Sequence, residues 1–165
     1  LLKKGSSIES LMKLLKVERY GSNASLPVWL TPIYFSYKKG VLNFKRFDIL
    51  LDGRFPFAVW GKINTQTDDI AMIVGIAQES LQNALGIDNL ESDYFMQVPL
   101  EGSASHPIVR TEKVIPKIAA LLLKDESMQG GGIFGALLNM VSREAKGDEV
   151  PPPSTNPLPW FEKKD

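Results

Sequence analysis

Residues 33–77 read IYFSYKKGVLNFKRFDILLDGRFPFAVWGKINTQTDDIAMIVGIA, and the reading of this stretch decides the fold. Ile33-Tyr34-Phe35-Ser36-Tyr37 is rich in aromatics and bounded by Pro32 and by Lys38-Lys39-Gly40, which predicts a strand followed by a tight turn. Val41-Leu42-Asn43-Phe44 resumes at once. Past the Lys45-Arg46 pair, Phe47, Ile49 and Leu51 share one parity, and Asp52-Gly53 is among the strongest short hairpin signals a sequence carries. Phe55, Phe57, Val59, Gly61 and Ile63 then alternate with Pro56, Ala58, Trp60, Lys62 and Asn64. Pro56 lacks an amide hydrogen and so belongs near a strand start or on an edge. After the polar turn at 65–69, Ile70, Met72, Val74 and Ile76 occupy one face, and Ala71, Ile73, Gly75 and Ala77 the other. Neither face of that strand is polar, so both require a cover or an apolar guest.

Composition bounds what such a ladder can belong to. The chain has 165 residues, 44% hydrophobic and 23% charged, a globular composition at a length that buries most of its apolar surface on folding. It contains no cysteine, which excludes disulfide scaffolds, thiolate metal sites and cysteine nucleophiles but leaves the compartment open. Basic and acidic residues balance at 19 each, unevenly: residues 33–63 carry six and two, residues 64–112 one and eight. Solvated strand faces and turns of differing charge account for this. Nucleic-acid binding would need a longer basic stripe interleaved with exposed aromatics, and an isoelectric point near 6.8 argues against it. No run approaches the roughly 20 apolar residues of a membrane-spanning helix. The chain opens Leu1-Leu2-Lys3-Lys4 without methionine and reads as a piece of something longer, with any targeting or anchoring segment elsewhere.

Helical patterns flank the ladder. Ser6 with Glu9 forms a capping box, and Ile8, Leu11, Met12 and Leu15 share a helical face, predicting a helix over 7–17. Gln78 to Leu85 reads as a short helix closed by Gly86 in the left-handed conformation. Tyr94, Met96, Val98 and Leu100 alternate as a fifth strand, and Ile108 to Thr111 is a candidate sixth. Val114, Ile115, Ile118, Leu121 and Leu122 make a helical stripe over 114–123, and after Gly130-Gly131-Gly132 a second stripe runs through Ile133, Phe134, Leu137, Leu138 and Val141. That second helix on its glycine joint is packed core, a lid (Ile133, Phe134, Leu137), or a membrane-surface element. Residues 1–146 form the folded domain in this reading. Residues 147–165, with Pro151-Pro152-Pro153 and Pro157-Leu158-Pro159-Trp160, form a proline-rich flexible tail, a linker rather than a ligand for an aromatic groove.

Catalytic chemistry is sparse. His106 is the single histidine, next to Pro107 in a turn, and Ser103 or Ser105 beside it cannot easily supply the in-line geometry of a nucleophile relay. Asp68-Asp69 lies in a hairpin turn with no partner motif for a metal. The triple glycine lacks the lysine and the serine or threonine of a phosphate loop. The expectation is a non-enzymatic protein with no cofactor, no metal and no catalytic residue.

The run Phe55-Pro56-Phe57-Ala58-Val59-Trp60-Gly61-Lys62-Ile63-Asn64 ends like the "G, any, Ile or Leu, Asp or Asn" strand of AsmA-like proteins. Ile70 to Ile76 matches the strand that follows it there, and Val98-Pro99-Leu100-Glu101-Gly102 through Pro107-Ile108-Val109 resembles the family's "apolar, any, Gly, four residues, Pro, apolar" segment before a terminal helix. The succession spans residues 33–123, and the chain resembles the C-terminal region of an AsmA-like protein of the AsmA, TamB or YhdP type.

The resemblance implies an α+β fold: an antiparallel, strongly curved, groove-like meander flanked by an N-terminal helix and C-terminal helices. It implies a lipid-transport module in the periplasm of a diderm bacterium, held in the inner membrane through an N-terminal part not present here. Its work would be to move phospholipid between membranes and to support the outer membrane. Its partners would be phospholipid acyl chains, which need a dry surface and no polar specificity group. The groove candidates are Phe35, Phe44, Phe57, Val59, Met72, Val74, Met96 and Val98, with the parity that faces the groove left open. The alternative is an envelope assembly domain with a protein partner, its apolar face filled by its own helices. The short helix after Gln78 and the glycine-linked second helix depart from the family pattern.

Overall fold

A computed structural model of the chain describes residues 27–88, 90–126 and 150–153. Within them, antiparallel ladders join seven strands into one sheet: β1 (Val28–Leu30), β2 (Phe35–Lys38), β3 (Val41–Leu51), β4 (Phe55–Asn64), β5 (Asp69–Ala77), β6 (Phe95–Ser103) and β7 (Pro107–Val109). Two helices, α1 (Gln78–Leu85) and α2 (Thr111–Glu126), complete an α+β architecture dominated by the sheet. The order is β1-β3-β4-β5-β6-β7, with β2 beside β1 on the same flank of β3.

Local chemistry sets the turns. Lys39 and Gly40 both take positive φ, as do Asp52 and Gly53, so both hairpins have the backbone hand that suits twisted strands. Between β4 and β5, the Asn64 side-chain oxygen accepts from the Gln66 and Thr67 amides, an Asx turn that closes the 65–68 loop. Gly86 ends α1 at φ 70° and donates its amide to the Gln82 carbonyl.

The ladder differs from the sequence reading in several places. Val41–Phe44 and Phe47–Leu51 are one strand: Lys45 and Arg46 oppose Trp60 alone, a β-bulge that carries the strand past what looked like a break. The first predicted strand narrows to β2. The three-residue strand β1, enclosed between Pro27 and Pro32, was not anticipated. β6 runs on to Ser103, and β7 falls slightly before the predicted sixth strand. Helix α2 begins before Val114 and contains Pro116, whose missing amide costs one bond in the second turn.

The expected strong curvature is corrected: the sheet is open and not strongly curled. Strong curvature takes repeated bulges or glycine kinks, and the β3–β4 ladder has one register shift while β4–β5 and β5–β6 pair without any. The predicted helix at 7–17, the glycine joint, the lid residues Ile133, Phe134 and Leu137, and the tail beyond Pro153 lie outside the described residues.

One core forms on one side of the sheet. Phe55 and Phe57 of β4, Ile76 of β5 and Met96 and Val98 of β6 pack with Leu81 of α1, Ile87, and Val114, Ile118 and Leu121 of α2. Ser80 fixes α1 to the sheet by donating from its buried hydroxyl to the Pro56 carbonyl at 2.6 Å.

Candidate functional site

Residues opposed in a ladder point to the same face, so register decides where the groove candidates lie. Phe35 opposes Phe44, Phe44 opposes Gly61, and Gly61 opposes Met72. In the next rows Val59, Val74 and Val98 align, then Phe57, Ile76 and Met96. All eight candidates therefore share the face that carries α1 and α2.

The structure divides them into two groups. Phe57, Val59, Met96 and Val98 are buried, and Val74 packs against the same cluster, so this end of the face is closed by the chain's own helices. At the other end Phe44 and Met72 are half-buried and Phe35 is 59% exposed, with Tyr37 beside it at 63%. The Phe35 and Phe44 rings lie 5.7 Å apart at a tilt of 43°. Val28, Trp29, Leu30, Ile33 and Tyr34 are also exposed, so residues 28–37 make an almost continuous apolar rim along the β1–β2 flank. Composition could not show this rim, because aromatics at strand period look alike whether covered or bare.

The opposite face holds a nearly buried ion pair that the sequence reading did not single out. Arg46 and Asp48 project from β3 with side-chain exposures of only 11% and 9%, and the Arg46 Nε and Nη2 both lie 2.8 Å from Asp48 Oδ1. The guanidinium sits 4.7 Å from the centroid of the Phe95 ring. Thr31, also buried, receives the Asp48 amide on its Oγ1 at 2.8 Å. Ala58 and Leu50 are buried on the same face, and the Trp60 ring passes so close to Gly75 that a Cβ there would fall 2.9 Å from it. The signal was present in the spacing: positions two apart on a strand share a face, which makes Arg46 and Asp48 neighbours.

The polar groupings around His106 and Glu101 lie on the surface. His106 Nδ1 is 3.1 Å from Ser105 Oγ, and Ser105 Oγ donates to Asp68 Oδ2 at 3.1 Å. The hydroxyl stands between imidazole and carboxylate, whereas a nucleophile relay needs the imidazole in the middle. Glu101 on β6 accepts from Arg110 Nε at 3.0 Å, with Lys113 Nζ 3.7 Å away. The Arg110 hydrogen bond, joined by the Lys113 charge, holds the Glu101 carboxyl below its ordinary value of 4.5. A depressed carboxylate stabilises the fold above pH 4.5 and loses that contribution as pH falls through the lowered value. NMR titration is expected to give Glu101 a midpoint below 4.5, and Arg110→Gln to move it upward. Among the described residues no group of three or more His, Asp or Glu is placed to hold a metal ion, and no helix is long and apolar enough to cross a membrane.

Comparison with family models, with curated proteins and with solved structures found no match.

Proposed function

We propose that this chain is a non-enzymatic lipid-handling module, with acyl chains lying along the uncovered end of the helix-bearing face. The observation that carries this reading is the split of that face: helices cover it from Phe57 to Met96, while Phe35, Tyr37, Phe44 and Met72 continue the same apolar surface without them. Exposed apolar patches that continue a sheet face in this way mark ligand, partner or membrane contact surfaces. Burying about eight methylenes there is worth about 6 kcal/mol before ordering costs, enough for reversible, low-specificity binding suited to a slide. The groove in this reading is a shallow apolar section of an open sheet.

The resemblance to AsmA-like proteins supplies the setting: the periplasm of a diderm bacterium, inner-membrane anchorage through another part of the protein, and phospholipid transfer that supports the outer membrane. Gly61 and Gly102, the glycines of the two resembling segments, both take positive φ, at 135° and 97°. That gives the segments a backbone reason for glycine.

Native mass spectrometry of the purified chain tests the reading. Phospholipid is expected to co-purify, and Phe35→Asp combined with Met72→Asp to lower its occupancy at least ten-fold with the sheet intact by circular dichroism. Protein that emerges lipid-free and takes none from vesicles would refute it.

A second reading has its own support. Neither β1 nor β2 has a strand partner other than β3 among the described residues, and both carry exposed apolar side chains, the setting in which a strand of a partner protein adds to a sheet. Occupancy of this flank by an envelope protein would leave lipid content unchanged by Phe35→Asp and abolish the complex instead.

A further inference from the structure

The face opposite the helices holds a cavity of about 1020 Å³ walled by Tyr34, Arg46, Trp60, Ile73 and Pro99 and by the chain's own Pro151, Pro152 and Pro153. Arg46 Nη1 donates to the Pro151 carbonyl at 3.1 Å, across 105 positions of sequence. The sequence reading made this segment part of a linker. Here it is seated on the sheet.

The chemistry of both sides fits. Proline fixes its own φ near −65° and pushes the residue before it towards extended ψ, so Val150, Pro151 and Pro152, each followed by proline, are preset to a polyproline II course. Such a segment has no proline donors, and its carbonyls are not used internally, so a groove that reads it must offer apolar walls and hydrogen-bond donors. Arg46 is that donor. Asp48 holds its Nε and Nη2, and the Phe95 ring lies against the guanidinium plane, which leaves Nη1 directed at the peptide carbonyl. Asp48 acts through Arg46 and is a positioning residue. Trp60 and Tyr34 supply aromatic wall, and Ile73 and Pro99 continue the Trp60 row across the sheet.

We propose that this groove is a docking site for proline-rich extended peptides, and that residues 150–153 are its internal occupant, which a partner segment of the same chemistry displaces. The donor Arg46 and the Trp60 wall lie on the other face from the lipid surface, while Phe44 and Met72 border both, so the proposal is tested at Arg46, Trp60 and the proline segment.

The test uses the full chain with Pro151→Gly, Pro152→Ser and Pro153→Gly, titrated with a capped peptide of sequence EVPPPS, the chain's own residues 149–154. Amide and indole NMR shifts are followed at Arg46 and Trp60. The peptide is expected to bind this variant saturably, and to bind the unaltered protein about ten-fold or more weakly, because the tethered segment competes at an effective concentration on the order of millimolar. A peptide with glycine in place of each proline is expected to lose binding, a comparison that does not depend on how any variant folds. Arg46→Lys in the same background keeps a charge beside Asp48 but loses the planar fork, and is expected to weaken the peptide several-fold. Equal affinity for the variant and the unaltered protein, equal affinity of the proline and glycine peptides, or no saturable binding to the variant would each overturn the proposal.

Discussion

Gly61→Ala is expected to lower the stability of the domain by about 3 kcal/mol or more, seen as a fall in the urea midpoint without a change in the groove's chemistry. Gly61 sits at φ 135°, where side chains other than hydrogen are rarely tolerated. A Cβ built there meets the Ala71 carbonyl oxygen at 2.5 Å and the Met72 Cα at 2.6 Å. Both are backbone atoms of the neighbouring strand, so no rotamer change relieves them, and β4 and β5 must part. Strain at such a φ costs on the order of 1–3 kcal/mol, and overpacking a comparable amount. Gly53 provides the control: its φ is 64°, but a Cβ there meets nothing within 4 Å. Gly53→Ala should therefore cost only the strain, about 1–2 kcal/mol. Equal midpoints for the two variants would show that the close approach at Gly61 is not what requires glycine.

That position explains how the sequence could be read so far and no further. Period-two alternation located β3, β4, β5 and β6, and Asp52-Gly53 and Gly86 located a hairpin and a helix end, because these signals are local. A residue's parity and the φ a turn demands do not depend on the rest of the chain. The bulge at Lys45-Arg46 was hidden, since an extra residue opposite Trp60 appears in one strand's sequence only as a broken alternation. β1 was hidden because three apolar residues between prolines are too short to show a period. The eight groove candidates could be named from apolar alternation, but the face they share follows from strand register, and which of them the helices cover depends on where α1 and α2 come to rest. Coverage is a tertiary property. It separates Val98, fully buried, from Phe35, mostly exposed, although the two read alike. The docking of Pro151 on Arg46 is further removed still, since nothing within either segment specifies the other.

Asp48→Ala is expected to be as damaging as the change at Gly61, at about 3–5 kcal/mol, for an electrostatic reason. Removing the carboxylate leaves the Arg46 guanidinium, 11% exposed, with no counter-charge from Asp48, and a buried charge without its partner costs several kcal/mol. The exposed pair Arg54–Asp52, with 64% of the Arg54 side chain in solvent, sets the scale from the other side: Arg54→Ala should cost about 0.2–1 kcal/mol. Replacing both members of the buried pair, Arg46→Met with Asp48→Val, is expected to restore most of the stability lost by the single change, because two apolar side chains need neither desolvation nor a partner. Denaturation midpoints of the unaltered protein, Arg46→Met, Asp48→Val and the double variant form a double-mutant cycle that measures the coupling. The same double variant separates the pair's two roles. Its fold should recover, but the donor to the Pro151 carbonyl is gone, so the tail should no longer be held on the sheet. Recovery of stability together with retained tail docking would mean that the apolar walls around Trp60 hold the proline segment without Arg46. Recovery with loss of docking would mean that a charge the fold can do without is kept beneath this face for the peptide it binds.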